Sequence, residues 1–134
     1  MSDEIHEECG IVLIRLLKPF SYYQKKYGTA YYGIHKLYLL MEKQHNRGQD
    51  GAGIADVKLA VPPGMAYMHR IRSAAHNALE DIFGKVQRRI DDTLRDNKEH
   101  ATDLDWQASN VPFLSELLLG HLRYGTYGKN NFEF

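Results

Sequence analysis

Cys9 is the only cysteine of the chain and the first candidate for chemistry. It follows two glutamates and begins the apolar run CGIVLIRLL. A lone cysteine is commonly a small buried hydrophobe, whereas a cysteine beside a base is a nucleophile. The chain has seven histidines that could be that base, and their spacing selects none of them. The cysteine alone therefore leaves both interpretations open.

Two other chemistries fit the residue pattern poorly. Structural zinc needs cysteine or histidine ligands clustered at short spacing, and the histidines here are scattered without an H-E-x-x-H pair. The glycine-rich stretch RGQDGAG follows a predicted helix instead of a strand. It also lacks the Gly-Lys-Ser/Thr ending of a nucleotide-binding loop. We expect no metal site and no cofactor within this chain.

The composition indicates one domain without a general affinity for polyanions. The chain has 134 residues, with 17 lysines and arginines against 17 aspartates and glutamates. This balance predicts no attraction to nucleic acid or to an anionic membrane surface. One cysteine cannot form an internal disulfide, and no apolar run approaches the length of a membrane span. We expect a soluble protein of a reducing compartment, the cytoplasm.

The apolar pattern predicts strands and helices in alternation. Cys9–Leu17 is rich in β-branched residues and predicts a strand buried on both faces. A helix is expected from Thr29 to about Gln44, followed by a polar glycine-rich turn over 46–53 and a second strand over IADVKLAV. A longer amphipathic helix is expected from about Ser73 to Asp96. Residues 117–128 predict a strand that runs into a glycine-punctuated turn.

Three stretches taken together carry a specific resemblance: EECGIV, HNRGQDGAGI and GHLRYGTYG. In this order they resemble the glutaminase domain of the class II glutamine amidotransferases, and the second and third are most similar to the amidophosphoribosyltransferase branch. The resemblance spans Cys9 to Gly128, although residues 58–115 contribute little beyond order and spacing. It implies an α/β (α+β) fold of the N-terminal-nucleophile hydrolase type, layered αββα. Residues 9–134 would be the first part of that domain.

The resemblance implies that glutamine is hydrolysed through a cysteine thioester and that Cys9 is the nucleophile. The ammonia would pass to phosphoribosyl pyrophosphate and begin purine biosynthesis in a C-terminal phosphoribosyltransferase domain, a glycosyltransferase absent from this chain. Any magnesium would belong to that domain. In the family a leader is removed, which here would be residues 1–8. The freed α-amino group, with a pKa of about 7.7 to 8, can then take the proton of the thiol.

The same resemblance assigns roles to residues of all three motifs. Arg123 would bind the α-carboxylate of glutamine, and Thr126 would add a hydroxyl contact. Gly10 would relieve crowding beside the nucleophile, and His121 would support the turn that holds Arg123. The wall beside the thiol would be formed by Arg47, Gly48 and Asp50.

The sequence also departs from the family pattern. Leu13 stands where a glycine is common, and Asn46 separates His45 from Arg47. Residues 65–110 look longer than usual, which suggests an extra or extended helix. The family's oxyanion-hole Asn-Gly pair would lie beyond Phe134, and Asn130-Asn131 does not match it. We therefore expect this chain alone to be inactive as a glutaminase.

Two alternatives stay open at the level of sequence. One is a class II amidotransferase with a different ammonia acceptor. The other is a truncated, non-catalytic module that binds glutamine or a partner. The expected partners are glutamine, the phosphoribosyltransferase domain and further copies of the chain, without nucleic acid or membrane.

Overall fold

Four antiparallel strands form one sheet in the computed structural model, which describes residues 9–44 and 49–124. The strands are β1 (Gly10–Arg15), β2 (Gln49–Val57), β3 (Met68–Ser73) and β4 (Leu117–Tyr124). Their order across the sheet is β1-β4-β2-β3. The last of these four strands in the sequence, β4, therefore lies between β1 and β2 and pairs with both.

Helices pack against one face of this sheet. The helix over Tyr32–Gln44 contacts β1 and β4, and the helix over Ala78–Arg95 contacts β2 and β3. The helix over Phe20–Tyr27 packs against those over Tyr32–Gln44 and Leu104–Asn110. A single 3₁₀ turn, Lys98–His100, connects the helix over Ala78–Arg95 to the one over Leu104–Asn110. The helices are α1 (Phe20–Tyr27), α2 (Tyr32–Gln44), α3 (Ala78–Arg95) and α4 (Leu104–Asn110). The described residues thus form a mixed α/β structure.

The core lies between the sheet and the two long helices. Every second residue of the strands points into it, as the alternation of side chains in a strand requires. Burying each of these large aliphatic side chains contributes about 1.5 to 3 kcal/mol. The buried sheet residues include Val12, Ile54, Leu118 and Leu122, and they face Ile34, Leu37 and Met41 of α2 and Ile82, Val86 and Ile90 of α3.

The opposite face of the sheet is open over β1 and β4. Ile11 is 69% exposed, Leu13 64% and Leu119 42%, and the register sets Leu13 directly opposite Leu119. The prediction that the first strand is buried on both faces is therefore wrong. Within the described residues, one face of β1 packs against the helices and the other face is exposed.

Several element boundaries differ from the predicted ones. β2 begins at Gln49, so the glycine-rich stretch predicted as a turn supplies the first half of a strand. The second long helix begins at Ala78 instead of Ser73, because Ser73 ends β3. Three elements were not predicted, namely α1, β3 and α4. Within the described ranges, no helix is both long and apolar enough to cross a membrane.

Candidate active site

Strand register brings parts of the three motifs to one end of the sheet. Leu122 of β4 pairs with Gly10 of β1 on one side and with Ala52 of β2 on the other. Arg123, the next residue, pairs with Gly51. Because β4 runs antiparallel to both neighbours, its end meets the beginnings of β1 and β2. The three motif-bearing strands are therefore adjacent at this end of the sheet.

Cys9 is the residue that immediately precedes β1 at this end. Its side chain is exposed, so the interpretation of Cys9 as a buried hydrophobe is wrong. The neighbouring Gly10 lies against the side chain of Gln44, at the end of α2, and a Cβ at position 10 would collide with its amide. Gln44 in turn donates a hydrogen bond of 3.3 Å from Nε2 to the carbonyl of Ile11. Helix α2 thus ends against the strand that carries the thiol.

Asp50 and Arg123 lie together where β2 meets β4. The register shifts between Gln49 and Gly51, which makes Asp50 the extra residue of a bulge. Both Asp50 and Arg123 are half-buried. The Oδ1 atom of Asp50 is buried and accepts no hydrogen bond from the described residues. Bulges of this kind redirect a side chain at the end of a strand, as is common beside functional sites.

A cleft of about 310 Å³ opens beside Arg123. Besides Arg123 it is lined by Gly51, Ala52, Arg72, Ser73, Ala74 and His121. Partial burial and the nearby Arg72 guanidinium both lower the pKa of His121, which favours the neutral imidazole. The cleft therefore combines guanidinium groups with a neutral imidazole, a set suited to a small ligand that carries a carboxylate.

Arg72 and Ser73 line this cleft and were not predicted as site residues. Both belong to β3, a strand that was not predicted. The alternation in MHRIRS, with Ile71 between two arginines, is only a weak signal for an edge strand, because a single side chain is buried. The predicted residues Arg47, Gly48 and Thr126, and the leader 1–8, lie outside the described residues.

A second polar cluster, centred on Asp56, lies in the interior between β2, β3 and the segment before β4. The buried Asp56 carboxylate accepts hydrogen bonds from the backbone nitrogens of His69 (2.6 Å) and Phe113 (3.0 Å) and from the Ser115 hydroxyl (2.5 Å). His69 Nδ1 lies 3.0 Å from its Oδ1. Serine and histidine both bind the aspartate and not each other, so this cluster is a structural clamp and not a nucleophile relay.

Lys58 is buried next to this cluster. Its Nζ donates hydrogen bonds to the carbonyls of Ala108 (2.8 Å) and Leu114 (2.6 Å). Burial lowers the pKa of Lys58 to about 8, although the carboxylates of Asp56 and Glu116 act in the opposite direction. The ammonium ties the end of α4 and the segment before β4 to β2.

In the part of the chain that the structure describes, no three histidine, cysteine, aspartate or glutamate side chains are grouped to hold a metal ion. Comparison of the chain with protein-family models, with curated proteins and with solved structures finds no match.

Proposed function

We propose that this chain supplies the nucleophile, Cys9, and the glutamine-binding residues of a glutaminase, which hydrolyses the side-chain amide of glutamine. The Cys9 sulfur would attack the amide carbon and form a γ-glutamyl thioester, and the nitrogen would leave as ammonia after it takes a proton. Water would then cleave the thioester, which returns the thiol and releases glutamate. The observation that carries the proposal is the register that sets Gly10 beside Leu122 and Arg123 beside Gly51.

The exposed thiol supports a nucleophilic role. A cysteine at the start of a strand and open to solvent can be reached by a substrate, which a core cysteine cannot. After removal of residues 1–8, the α-amino group of Cys9 itself would serve as the base, since its pKa of about 7.7 to 8 leaves a useful fraction unprotonated near neutral pH.

The cleft beside Arg123 supports recognition of the amino-acid end of glutamine. A half-buried guanidinium can hold a carboxylate through two parallel hydrogen bonds, and such bonds are stronger where water is excluded. His121 and Asp50 border the same end of the sheet. In the proposed complex, the α-carboxylate lies at Arg123 and the side-chain amide extends across β4 towards Cys9.

The open face over β1 and β4 supports the layered N-terminal-nucleophile fold. Ile11, Leu13 and Leu119 form an apolar surface opposite the helices, as expected of a sheet that packs on a second sheet. We propose that such a second sheet completes an αββα arrangement. The ammonia would pass to phosphoribosyl pyrophosphate in a phosphoribosyltransferase domain.

One observation favours a second candidate, a module that binds glutamine without turning it over. The cleft opens on the β2 and β3 side of Arg123, whereas Cys9 adjoins β1 and is not among the cleft residues. A ligand confined to the cleft would not reach the thiol.

Labelling with an electrophilic glutamine analogue distinguishes the two candidates. The chain trimmed to begin at Cys9 should be alkylated at Cys9 by the L-analogue, and much more slowly by the D-analogue. The chain with residues 1–8 retained and the Cys9→Ser variant are the matched controls. Binding of the L-analogue without alkylation would favour the binding module, and equal labelling by both enantiomers would contradict a glutamine site.

A further inference from the structure

A second cleft, which we call the α3 cleft, lies between the edge strand β3 and helix α3. It has a volume of about 390 Å³ and is lined by Arg70, Ile71, Lys85, Arg88, Arg89 and Asp92. None of these residues lines the cleft beside Arg123. Four of the six carry a positive charge, although the whole chain has no net charge. The α3 cleft is therefore a local concentration of cations.

Within the described residues, three of these four cations form no ion pair with a carboxylate. The pKa of Asp81 is lowered mainly by the hydrogen bond from Ser73 and further by Lys85 and Arg88, so Asp81 offsets part of the charge of Arg88. Lys85 pairs with Asp81 at 3.3 Å, and the lining residue Asp92 pairs with Arg95 at 2.9 Å. Across residues 9–44 and 49–124, by contrast, no carboxylate lies within ion-pair distance of Arg70, Arg88 or Arg89.

Helix α3 places its cationic side chains on one face. Positions 85, 88, 89 and 92 follow the three- and four-residue spacing that places side chains on one face of a helix. The guanidinium of Arg89 also lies over the ring of Phe113, 6.0 Å from its centroid, which restrains it at the cleft. Like charges that line one cleft repel one another, and a bound anion would relieve that repulsion.

We propose that the α3 cleft binds a small ligand that carries two or more linked phosphate groups. Guanidinium forks match phosphate oxygens in geometry and bind them through paired hydrogen bonds. The four cationic side chains of the lining exceed the charge of about −2 that a single phosphate carries near neutral pH, so a di- or triphosphate matches the charge better. The volume is at the small end of the range for ligand pockets, as suits a phosphate chain.

The lining residues indicate that the ligand is bound through its phosphate chain. Ile71 is the only apolar lining residue, and the lining contains no aromatic ring on which a base could stack. A long nucleic acid would need a basic surface that extends beyond one cleft, and the chain as a whole has equal numbers of acidic and basic residues.

Titration with inorganic tripolyphosphate at constant ionic strength tests the proposal. Wild-type protein should bind tripolyphosphate at least about tenfold more tightly than orthophosphate or sulfate. Arg88→Gln and Arg89→Gln should each weaken tripolyphosphate binding by about tenfold, because each removes a charged hydrogen-bond donor. The matched control is Arg15→Gln, which removes the same charge from β1, at the other edge of the sheet.

The variants and the control anions distinguish a specific site from general charge attraction. Weakening by either cleft variant, with Arg15→Gln unchanged and circular dichroism the same for all three, supports the site. Equal weakening by all three variants would mean general charge attraction and would overturn the proposal. So would equal affinity for tripolyphosphate and sulfate, or binding of an RNA oligonucleotide alone.

Discussion

The imidazole of His121 lies over Gly53 so closely that its Nε2 would stand 2.5 Å from a Cβ at position 53. The two residues are register partners across β4 and β2. Arg72 approaches the same glycine from β3, with its Cγ 3.3 Å from the Cβ position. The missing side chain at Gly53 therefore leaves room for the His121 ring and the Arg72 side chain, both of which line the cleft, to approach the same point of β2.

Gly53→Ala should disturb the cleft while leaving the fold largely intact. The added methyl must displace His121 or Arg72, whose side chains can rotate away. Alanine in a strand gains about 0.5 to 1 kcal/mol over glycine, which offsets the crowding. We expect unfolding free energies within about 1 kcal/mol of wild type and severalfold slower labelling of Cys9 by the glutamine analogue. Gly84→Ala, where the nearest atom is 3.6 Å from the Cβ position, is the control. Unchanged labelling in Gly53→Ala would contradict a role for the cleft.

Arg72→Gln should raise the pKa of His121. Burial is the main cause that lowers this pKa, and the positive charge of Arg72 is the second. Removing the charge should move the midpoint upward but not fully to the ordinary value of histidine, because burial remains. NMR titration of the imidazole measures this, with Arg70→Gln on the same strand as the control. A midpoint that stays fixed or falls in Arg72→Gln would show that the guanidinium does not act on the imidazole.

The stability of the protein should rise with pH above 8 because of Lys58. Its folded pKa of about 8 lies below the value of 10.5 for an exposed lysine. Between these two values the unfolded chain binds more protons than the folded one, so raising the pH favours folding. Wild type should gain about 1 kcal/mol per pH unit from pH 8 to 10 relative to Lys58→Met. Urea unfolding of both proteins over this range measures the difference. Parallel pH profiles for the two proteins would contradict the lowered pKa of Lys58.

Asp56→Asn should destabilise the protein more than Ser115→Ala. Asparagine can accept at only one of the two oxygen positions, and its amide would face a hydrogen-bond donor. We expect a loss of about 3 kcal/mol or more for Asp56→Asn and about 1 to 2 kcal/mol for Ser115→Ala. Denaturant midpoints give both values. Equal losses would mean that the serine hydroxyl, and not the whole set of donors, holds the cluster together.

Arg123→Gln should selectively reduce the reaction of Cys9 with glutamine-like reagents. A desolvated pair between arginine and carboxylate contributes at least about 2 kcal/mol, which corresponds to about a thirtyfold loss in binding. Iodoacetamide carries no carboxylate and reports the reactivity of the thiol alone. We expect labelling by the analogue to fall and alkylation by iodoacetamide to stay unchanged. A parallel fall in both rates would identify Arg123 as a structural residue.

Periodic apolar spacing predicted the two long helices and the strand over Leu117–Tyr124, because each buries a continuous stripe or an alternating face. The same principle failed for β1. Its exposed face carries Ile11 and Leu13, and a run of apolar residues cannot by itself show which face another layer covers. Burial of a sheet face is a tertiary property, and so the prediction of two buried faces was wrong.

The elements that were missed are short or polar. α1 reads FSYYQKKY, and it is held largely by tyrosines: Tyr23 and Tyr27 both stack on Tyr32 of α2, with ring centroids 5.4 and 4.1 Å away. β3 has a single buried residue, Ile71, which gives almost no period to detect. The candidate site was predicted incompletely for the same reason. Cys9, Asp50, His121 and Arg123 were identified from motifs, whereas Arg72 depends on a strand pairing that no local pattern reveals.

The central position of β4 in the sheet restricts when β1 can pair during folding. Gly10 and its partner Leu122 are more than a hundred positions apart in the sequence. During synthesis the β2–β3 hairpin can form early, but among the described strands β1 pairs only with β4 and must wait until β4 leaves the ribosome. Such non-local pairing makes folding slow and leaves apolar strand edges available to other chains in the meantime. The end of the sheet that carries Cys9 and Arg123 therefore forms only after residues 117–124 have been synthesised, and chaperone dependence should concentrate on the interval before that step.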